Sequence, residues 1–202
     1  MPIINLVYQA SDIAVQTFDF QNDWALNWTW YSIWYWTPAI ASWQWWYIGT
    51  SSSLSYQGWI IPPSSIYWGT LKKYKIWFYK PSTTTSSRWA AIAISDITED
   101  AVVIEYWRNM SAWWHILIRV SGTTTDISSA DLTGECTMEI IFEDNWHITV
   151  NLADTSNTYT YDLWNYASNF QTYWSNSNLW MHIARRSSST NYIRKVEITT
   201  TP

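Results

Sequence analysis

Three carboxylates lie close together in the second half of the sequence, at Glu139, Glu143 and Asp144. Alternate residues of a β-strand point to the same face, so a strand through this segment places Glu139 and Glu143 on one side. Paired carboxylates can cleave a glycosidic bond when they lie about 5–5.5 Å apart. However, Ile141 stands where a third carboxylate would complete the row, and Asp144 enters a predicted turn. We interpret the three as solvent-facing carboxylates beside a hairpin, with polysaccharide hydrolysis at an atypical site as an alternative.

The other reactive side chains form no recognisable catalytic or zinc-binding pattern. The histidines follow no metal-ligand spacing, and a single cysteine allows no internal disulfide; these residues are His115, His147, His182 and Cys136. No Gly-x-Ser-x-Gly nucleophile motif occurs. Structural calcium is left open by two pairs of loop carboxylates, which we interpret as turn-capping residues: Asp19 with Asp23, and Asp96 with Asp100. The sequence therefore predicts no catalytic residue and no cofactor other than this optional calcium.

Aromatic side chains are the strongest candidates for ligand binding. Flat aromatic faces stack on the apolar side of sugar rings, and exposed aromatic patches mark binding surfaces. The alternative is that alternate aromatic residues fill a β-sandwich core. The candidate carbohydrate-binding residues are Trp45, Trp46, Tyr47, Tyr79, Tyr106 and Arg108.

Charge and hydropathy exclude several classes of protein. The 202 residues include 11 Lys plus Arg and 16 Asp plus Glu, a formal charge of −5. This balance argues against a basic nucleic-acid-binding surface. No apolar run reaches the roughly 18 residues of a membrane-spanning helix. The start, Met1–Asn5, has no charged segment and no apolar signal-peptide core, so no signal peptide is predicted.

The numbers of glycine and tryptophan are both unusual. The chain has 5 Gly and 19 Trp, whereas typical usage of about 7% predicts roughly 14 Gly. Asn145-Trp146 joins two alternating β segments where Asn-Gly is the strongest hairpin signal. The codon UGA encodes Trp in some genetic codes and Gly in others. We therefore hypothesise that many of these Trp stand at glycine positions; the alternative is a genuine Trp-rich surface for stacking on ligands.

Alternating β-rich segments separated by Ser, Thr, Asn and Asp clusters predict an all-β fold. The predicted strands are Asn5–Ala10, Ile13–Phe20, Trp43–Gly49, Leu54–Ile60, Leu71–Tyr79, Trp89–Ser95, Ala101–Trp107, His115–Val120, Glu135–Phe142, His147–Leu152, Thr158–Leu163, Leu179–Arg185 and Tyr192–Ile198. Helix signals are weak, with one helical turn conceivable at Ser128–Leu132. Short strands at this spacing favour an antiparallel two-sheet β-sandwich or a barrel. We expect one domain over residues 1–198 and a tail or linker over residues 199–202.

The order of these segments from Thr70 to Ile198 resembles the concanavalin A-like and laminin-G-like jelly-roll superfamily. The most specific segment is Ala130–Glu135, followed by a strand, the Asn145-Trp146 turn with Trp where glycine is usual, and a returning strand. Tyr192–Ile198 resembles the final strand of that superfamily, which lies beside the first. The resemblance implies a jelly-roll sandwich, but it implies no single function because binding and catalytic sites differ widely on this fold.

These observations lead to three hypotheses. The first is a non-enzymatic, lectin-like domain that binds a glycan or polysaccharide at a virion or cell surface, without nucleic-acid binding or membrane insertion. The second is a structural virion, fibre or surface-protein domain, and the third is the atypical hydrolase. A homo-oligomer or a larger assembly is compatible with each of them.

Overall fold

The structure is a computed structural model that describes residues 7–8, 13–19, 39–40, 46–48, 59–61, 70–80, 89–96, 102–108, 114–120, 123–129, 132–174, 179–183 and 191–201. The described strands are, in chain order, β1 (Val7–Tyr8), β2 (Ala14–Asp19), β3 (Ala39–Ile40), β4 (Trp46–Ile48), β5 (Trp59–Ile61), β6 (Thr70–Lys80), β7 (Trp89–Asp96), β8 (Val102–Arg108), β9 (Trp114–Val120), β10 (Thr123–Ser129), β11 (Gly134–Phe142), β12 (Ile148–Ala153), β13 (Thr158–Asp162), β14 (Leu179–Ile183) and β15 (Asn191–Thr201). The helix α1 spans Ala167–Tyr173 and follows a 3-10 turn at Trp164–Tyr166.

The described strands form two antiparallel sheets. The large sheet has the order β1-β2-β15-β6-β11-β12-β13, and β4 also pairs with β15 and β3. The small sheet has the order β10-β9-β8-β7-β14-β5. The predicted all-β, antiparallel jelly-roll sandwich is confirmed. As the resemblance implied, the final strand lies beside an opening strand, with Val196 of β15 opposite Phe18 of β2.

Alternation along the strands of the large sheet separates a core face from an open face. On β11 the buried residues are Cys136, Met138, Ile140 and Phe142, and each residue between them is more exposed. β12 follows the same rule, with Ile148, Val150 and Leu152 completely buried. This period of two places every apolar side chain of these strands toward the second layer except Ile141 and Ala153. The hydrophobic effect therefore fixes the register of the sheet, since a slip by one residue would expose the core face.

Aromatic residues connect the two layers. The ring of Phe78 on β6 lies 5.9 Å from that of Tyr106 on β8, between their centroids. The Tyr106 hydroxyl accepts a hydrogen bond from the backbone N–H of Leu132, at 3.3 Å. Tyr106 is 1% exposed, so its ring packs the core while its one polar atom has a partner, which is the usual condition for burying tyrosine.

The C-terminal end of the chain differs from the predicted tail. Residues 199–201 continue β15, where Thr200 pairs with Leu71 of β6 and with Ala14 of β2. Thr200 is completely buried, because the alternation that buries Val196 and Ile198 continues beyond position 198. The expected linker residues are therefore part of the sheet as far as Thr201.

Two strands and one helix were not predicted. β3 is described at Ala39–Ile40, and β10 is a polar strand that, among the described strands, pairs with β9. Ser128 and Ser129, where a helical turn was considered, belong to β10. The helix lies instead at Ala167–Tyr173, and its core face consists of Phe170, with Trp174 directly after its end.

Candidate functional site

A tight turn between β11 and β12 organises one end of the large sheet. Asn145 has φ 59° and ψ 29°, and Trp146 has φ 61°. The His147 N–H donates to the Asp144 carbonyl at 3.4 Å. Positive φ at both central residues with this hydrogen bond is the type I′ geometry that matches the twist of a hairpin. The sequence predicted a turn at these residues, and the turn is confirmed.

The helix α1 packs beneath this turn through aromatic contacts. Phe170 is completely buried, and its ring centroid lies 4.6 Å from that of Trp174. Trp174 also contacts Phe142, the last residue of β11, with 6.2 Å between ring centroids. Residues four apart on a helical turn meet on one face, so the Phe170–Trp174 pair holds α1 against the end of β11.

A pocket of about 350 Å³ lies between the turn, α1 and the first residues of β6. Its polar lining combines hydroxyl, ammonium, carboxylate and amide groups, from Thr70, Lys72, Glu143, Asp144, Asn145 and Gln171. Its apolar lining comes from Leu71, Phe142 and Trp146. Ligand pockets of small molecules start at about 300 Å³ and combine apolar walls with a few polar groups. The hairpin pocket, as we call it, has both properties.

Glu143 connects the hairpin pocket to a histidine between two carboxylates. The two ring nitrogens of His147 contact Glu143 and Asp162: Nδ1 lies 3.3 Å from Glu143 Oε2, and Nε2 lies 2.6 Å from Asp162 Oδ1. Thr149 Oγ1 donates to Glu143 Oε1 at 3.2 Å. The Trp164 ring packs edge-on against the imidazole, with centroids 5.1 Å apart. The imidazole of His147 therefore fixes the orientation of Glu143, the carboxylate that lines the pocket.

Asp162 is held ionised by hydrogen bonds. The backbone N–H of Trp164 donates to Asp162 Oδ1 at 2.8 Å. This bond and the contact with His147 lower the pKa of Asp162, and the smaller effect of desolvation opposes them. Hydrogen bonds to the charged form of a carboxylate favour that form. Asp162 therefore remains an anion that orients the His147 ring.

The third carboxylate, Glu139, lies in the middle of the open face of the large sheet. Lys73 Nζ is 3.2 Å and Lys75 Nζ is 3.8 Å from Glu139 Oε1, and Asn151 Nδ2 donates to Oε2 at 3.3 Å. Partial burial alone would raise the pKa of Glu139, but hydrogen bonds and charge from Lys73, Asn151 and Lys75 outweigh it and lower the pKa. Thr160 Oγ1 extends the row by donating to Asn151 Oδ1 at 2.8 Å. We call these five residues the mid-sheet polar row.

Solved structures with a similar fold were found, although no protein-family model and no curated protein matches the sequence. The winged bean acidic lectin, solved with methyl-α-D-galactose, aligns over 93% of this chain and 98% of its own, at 13% identity and a TM-score of 0.64. A protein of unknown function from Shewanella oneidensis MR-1 aligns over 97% of this chain and 90% of its own, at 13% identity and a TM-score of 0.61. This chain has a lectin jelly-roll fold. At this identity the similarity concerns the fold alone.

The jelly roll separates the predicted carbohydrate-binding residues into two sheets. Trp46 and Tyr47 lie on β4 and Tyr79 lies on β6, all in the large sheet. The strand register places Tyr47, Tyr192 of β15 and Tyr79 opposite one another in a single row. Tyr79 is half-buried on the open face. We call these three residues the tyrosine row.

The remaining candidates lie elsewhere. Tyr106 and Arg108 are on β8 of the small sheet, and Trp45 falls outside the described residues. The predicted polar-aromatic face included Tyr106, but its ring lies in the core between the layers, with its hydroxyl bonded to the Leu132 N–H. The five candidates within the described residues therefore lie on two different sheets, with Tyr106 in the core.

The hairpin pocket includes residues that sequence analysis did not single out. Glu143 and Asp144 were noticed as carboxylates, but Thr70, Lys72 and Gln171 were not associated with them. Lys72 is 72 positions from its partner Asp144 in the sequence, and its Nζ lies 3.5 Å from Asp144 Oδ1. Only the pairing of β6 with β11 brings these segments together.

Metal and membrane features can be assessed for part of the chain. Within the described ranges, His, Cys, Asp and Glu form no group of three that could hold a metal ion. Asp19 ends β2 and Asp96 ends β7, but their predicted calcium partners, Asp23 and Asp100, lie outside those ranges. The described segments include no helix long and apolar enough to cross a membrane.

Proposed function

We propose that this protein is a non-enzymatic, lectin-like domain that binds a glycan in the hairpin pocket. The observation that supports this function best is the polar lining of the pocket. Sugars present many hydroxyl groups that both donate and accept hydrogen bonds, and Gln171, Thr70 and Glu143 offer both kinds of partner. Of the apolar lining residues, Leu71 and Phe142 are buried, so the half-buried Trp146 contributes most of the apolar surface for the carbon–hydrogen face of a ring.

The geometry of the carboxylates favours binding over hydrolysis. Glu139 and Glu143 are four strand positions apart, about 13 Å at the usual rise, whereas glycosidase pairs lie about 5–9.5 Å apart. Glu139 is also engaged by Lys73 and Lys75. Glu143 and Asp162 are closer together, but the imidazole of His147 lies between them and contacts both. The ring occupies the space that a scissile bond or a water molecule would need.

The proposed setting is the surface of a virion or a cell. A single small pocket of this kind gives weak affinity, because a small ligand has few atoms whose contacts can offset the free-energy cost of association. Presentation of several copies, as a homo-oligomer or within a larger assembly, would raise the apparent affinity through effective concentration. The proposal therefore includes presentation in several copies, and it includes a glycan or polysaccharide as the partner.

A glycan array with the folded domain tests the function. We expect binding to one group of related glycans, and we expect Gln171→Ala to reduce it at least fivefold in titrations with a hit. Thr172→Ala is the matched control, because the Thr172 hydroxyl donates to Ser168 O within the helix at 2.8 Å and Thr172 does not line the pocket. Absence of binding across diverse glycans would contradict the proposal and favour the structural-domain alternative. Cleavage of a bound polysaccharide would favour the hydrolase.

A further inference from the structure

The charges around the hairpin pocket are unequal. Two carboxylates, Glu143 and Asp144, and one ammonium, Lys72, line it. Asp144 lines the pocket and is 91% exposed at its side chain, so its carboxylate is accessible from solvent. An anionic ligand must therefore approach two negative groups and one positive group.

The single ammonium group of the lining is already engaged. Lys72 Nζ lies 3.5 Å from Asp144 Oδ1, so an acidic ligand must compete with Asp144 for it. Glu143 remains beside it, oriented by Thr149 and His147. Interactions of this kind extend about a Debye length, roughly 10 Å at 0.1 M salt, and weaken as salt is added.

We propose that the hairpin pocket prefers amino sugars, accepts neutral sugars and rejects uronic acids. This inference rests on the proposed glycan-binding function and concerns its ligand class. An ammonium group on the ring gains attraction from Glu143 and Asp144, whereas a ring carboxylate is repelled by both. The hydroxyl groups, which are common to all three classes, keep their hydrogen bonds to Gln171 and Thr70.

The test compares sugars that differ only in charge. Ligand-observed NMR titrations at pH 7 and low salt use glucose, glucosamine and glucuronate, and the matching galactose series. We expect glucosamine or galactosamine to bind at least tenfold more tightly than the corresponding uronate. The preference should shrink to less than threefold in 0.5 M salt, a measurement that needs no variant. A uronate that binds as tightly as its amino sugar would overturn the inference while leaving glycan binding intact. Absence of binding by all six sugars would overturn both.

A double variant assigns the preference to the pocket. Glu143→Gln with Asp144→Asn should bring the amino sugar and the uronate to within threefold of each other. Glu135→Gln is the control, because Glu135 is an exposed carboxylate near the opposite end of β11, paired with Arg194 at 3.9 Å. Loss of the preference in Glu135→Gln as well would contradict the assignment.

A separate observation concerns the residue at position 146. Among the described residues, Asn145 and Trp146 are the only non-glycine positions with positive φ. Asparagine tolerates this conformation, whereas a bulky residue at positive φ is a genuine outlier. With glycine at this position the hairpin pocket would keep its polar lining, which comes from other residues, and would lose the indole from its apolar lining.

We infer that position 146 is a glycine in the naturally produced protein, from a UGA codon translated as glycine in its host. The intact mass of the protein isolated from its natural source decides this: a mass equal to that of the printed sequence would overturn the inference. In the expressed chain, Trp146→Gly should lower the unfolding equilibrium constant roughly tenfold. Trp164→Gly is the control, because Trp164 has no positive φ. It should not lower the unfolding equilibrium constant. Destabilisation by Trp146→Gly would contradict the conformational argument.

Discussion

The two ends of β6 present different chemistry. At its start, Thr70 and Lys72 contribute to the hairpin pocket, where hydroxyl, amide and carboxylate groups surround an open space. At its other end, Tyr79 stands in the tyrosine row, beside Glu135 of β11 in the register. Between them, in the mid-sheet polar row, Lys75 pairs with Glu139, and Glu139 also accepts a hydrogen bond from Asn151. Charge in the middle of the strand is therefore satisfied within the sheet, whereas at its start Lys72 pairs with Asp144 of the turn and both groups line an open pocket.

The middle of the large sheet and the hairpin pocket differ because different backbone elements surround them. A continuous antiparallel ladder places opposite side chains about 5 Å apart, so charged residues there find cross-strand partners. The hairpin pocket lies where the ladder stops and a turn and a helix replace it. Groups at such an end converge from separate elements and do not all pair with one another, as is usual for binding sites on rigid scaffolds.

The largest expected effect comes from removing the support of the pocket. Phe170→Ala deletes a completely buried ring that packs on Trp174, and we expect it to cost about 3–5 kcal/mol of unfolding free energy. Urea denaturation measures this loss. Gln171→Ala, one position further along α1 and exposed, should change stability by less than about 0.5 kcal/mol. A loss below about 1 kcal/mol for Phe170→Ala would mean that α1 does not support this end.

A smaller loss is expected at the β12–β13 turn, near the opposite end of the sheet. Asp154 accepts backbone hydrogen bonds from Thr133 at 2.9 Å, Ser156 at 2.7 Å and Asn157 at 2.6 Å. Because the site is largely solvated, we expect Asp154→Ala to cost only about 1–2 kcal/mol. Thermal unfolding measures it. Asp154→Asn retains a hydrogen-bond acceptor, so it should lose less unfolding free energy than Asp154→Ala. Equal losses in the two variants would contradict the role assigned to these hydrogen bonds.

Acid should weaken both ends of the sheet together. Partial burial would raise the pKa of Asp154, but the hydrogen bonds from Ser156, Thr133 and Asn157 outweigh it and lower the pKa. The pKa of Asp162 is also lowered, first by the Trp164 N–H and then by His147. A carboxyl whose folded pKa is depressed stabilises the fold above its unfolded pKa, near 4, and loses this contribution as the pH falls through the folded value.

Stability measured by urea between pH 6 and pH 2.5 tests this dependence. We expect little change down to about pH 5 and a progressive loss below about pH 4. Asp154→Asn should show a shallower decline than the unmodified chain. A fold whose stability is unchanged at pH 2.5 would contradict these assignments.

The smallest expected effect concerns the tyrosine row. Tyr79→Ala removes a half-buried ring far from the hairpin pocket, so it should change the affinity for a glycan hit by less than twofold. Titration of the same glycan against Gln171→Ala provides the comparison. A larger loss for Tyr79→Ala than for Gln171→Ala would move the binding site to the aromatic residues that the sequence first indicated.

Sequence analysis predicted the central strands of the large sheet better than the edge strand β10 and the helix α1. β6 and β11 are predicted within one residue of their observed bounds, because their alternation reflects one buried face. β10 escaped prediction because Thr123–Ser129 has no apolar alternation and, among the described strands, pairs with β9 at the edge of the small sheet. The short helix escaped because seven residues are too few to show a sustained helical period, and Phe170 is the one completely buried residue among them.

The candidate site was only partly predictable. The carboxylates near position 143 were visible as a local cluster, and Asn145-Trp146 was recognised from turn chemistry. Their partners were not visible, since Lys72, Asp162 and Gln171 reach the site through strand register and helix packing. Such contacts depend on which strands become neighbours, and that information is not local in the sequence.

The position of β15 has a consequence for the order of assembly. This strand lies between β2 and β6, so the large sheet is divided until residues 191–201 are in place. Contacts between segments so distant along the chain form slowly. During synthesis, β2 and β6 would each keep one edge unpaired until β15 emerged from the ribosome, and an unpaired edge favours aggregation until it is covered.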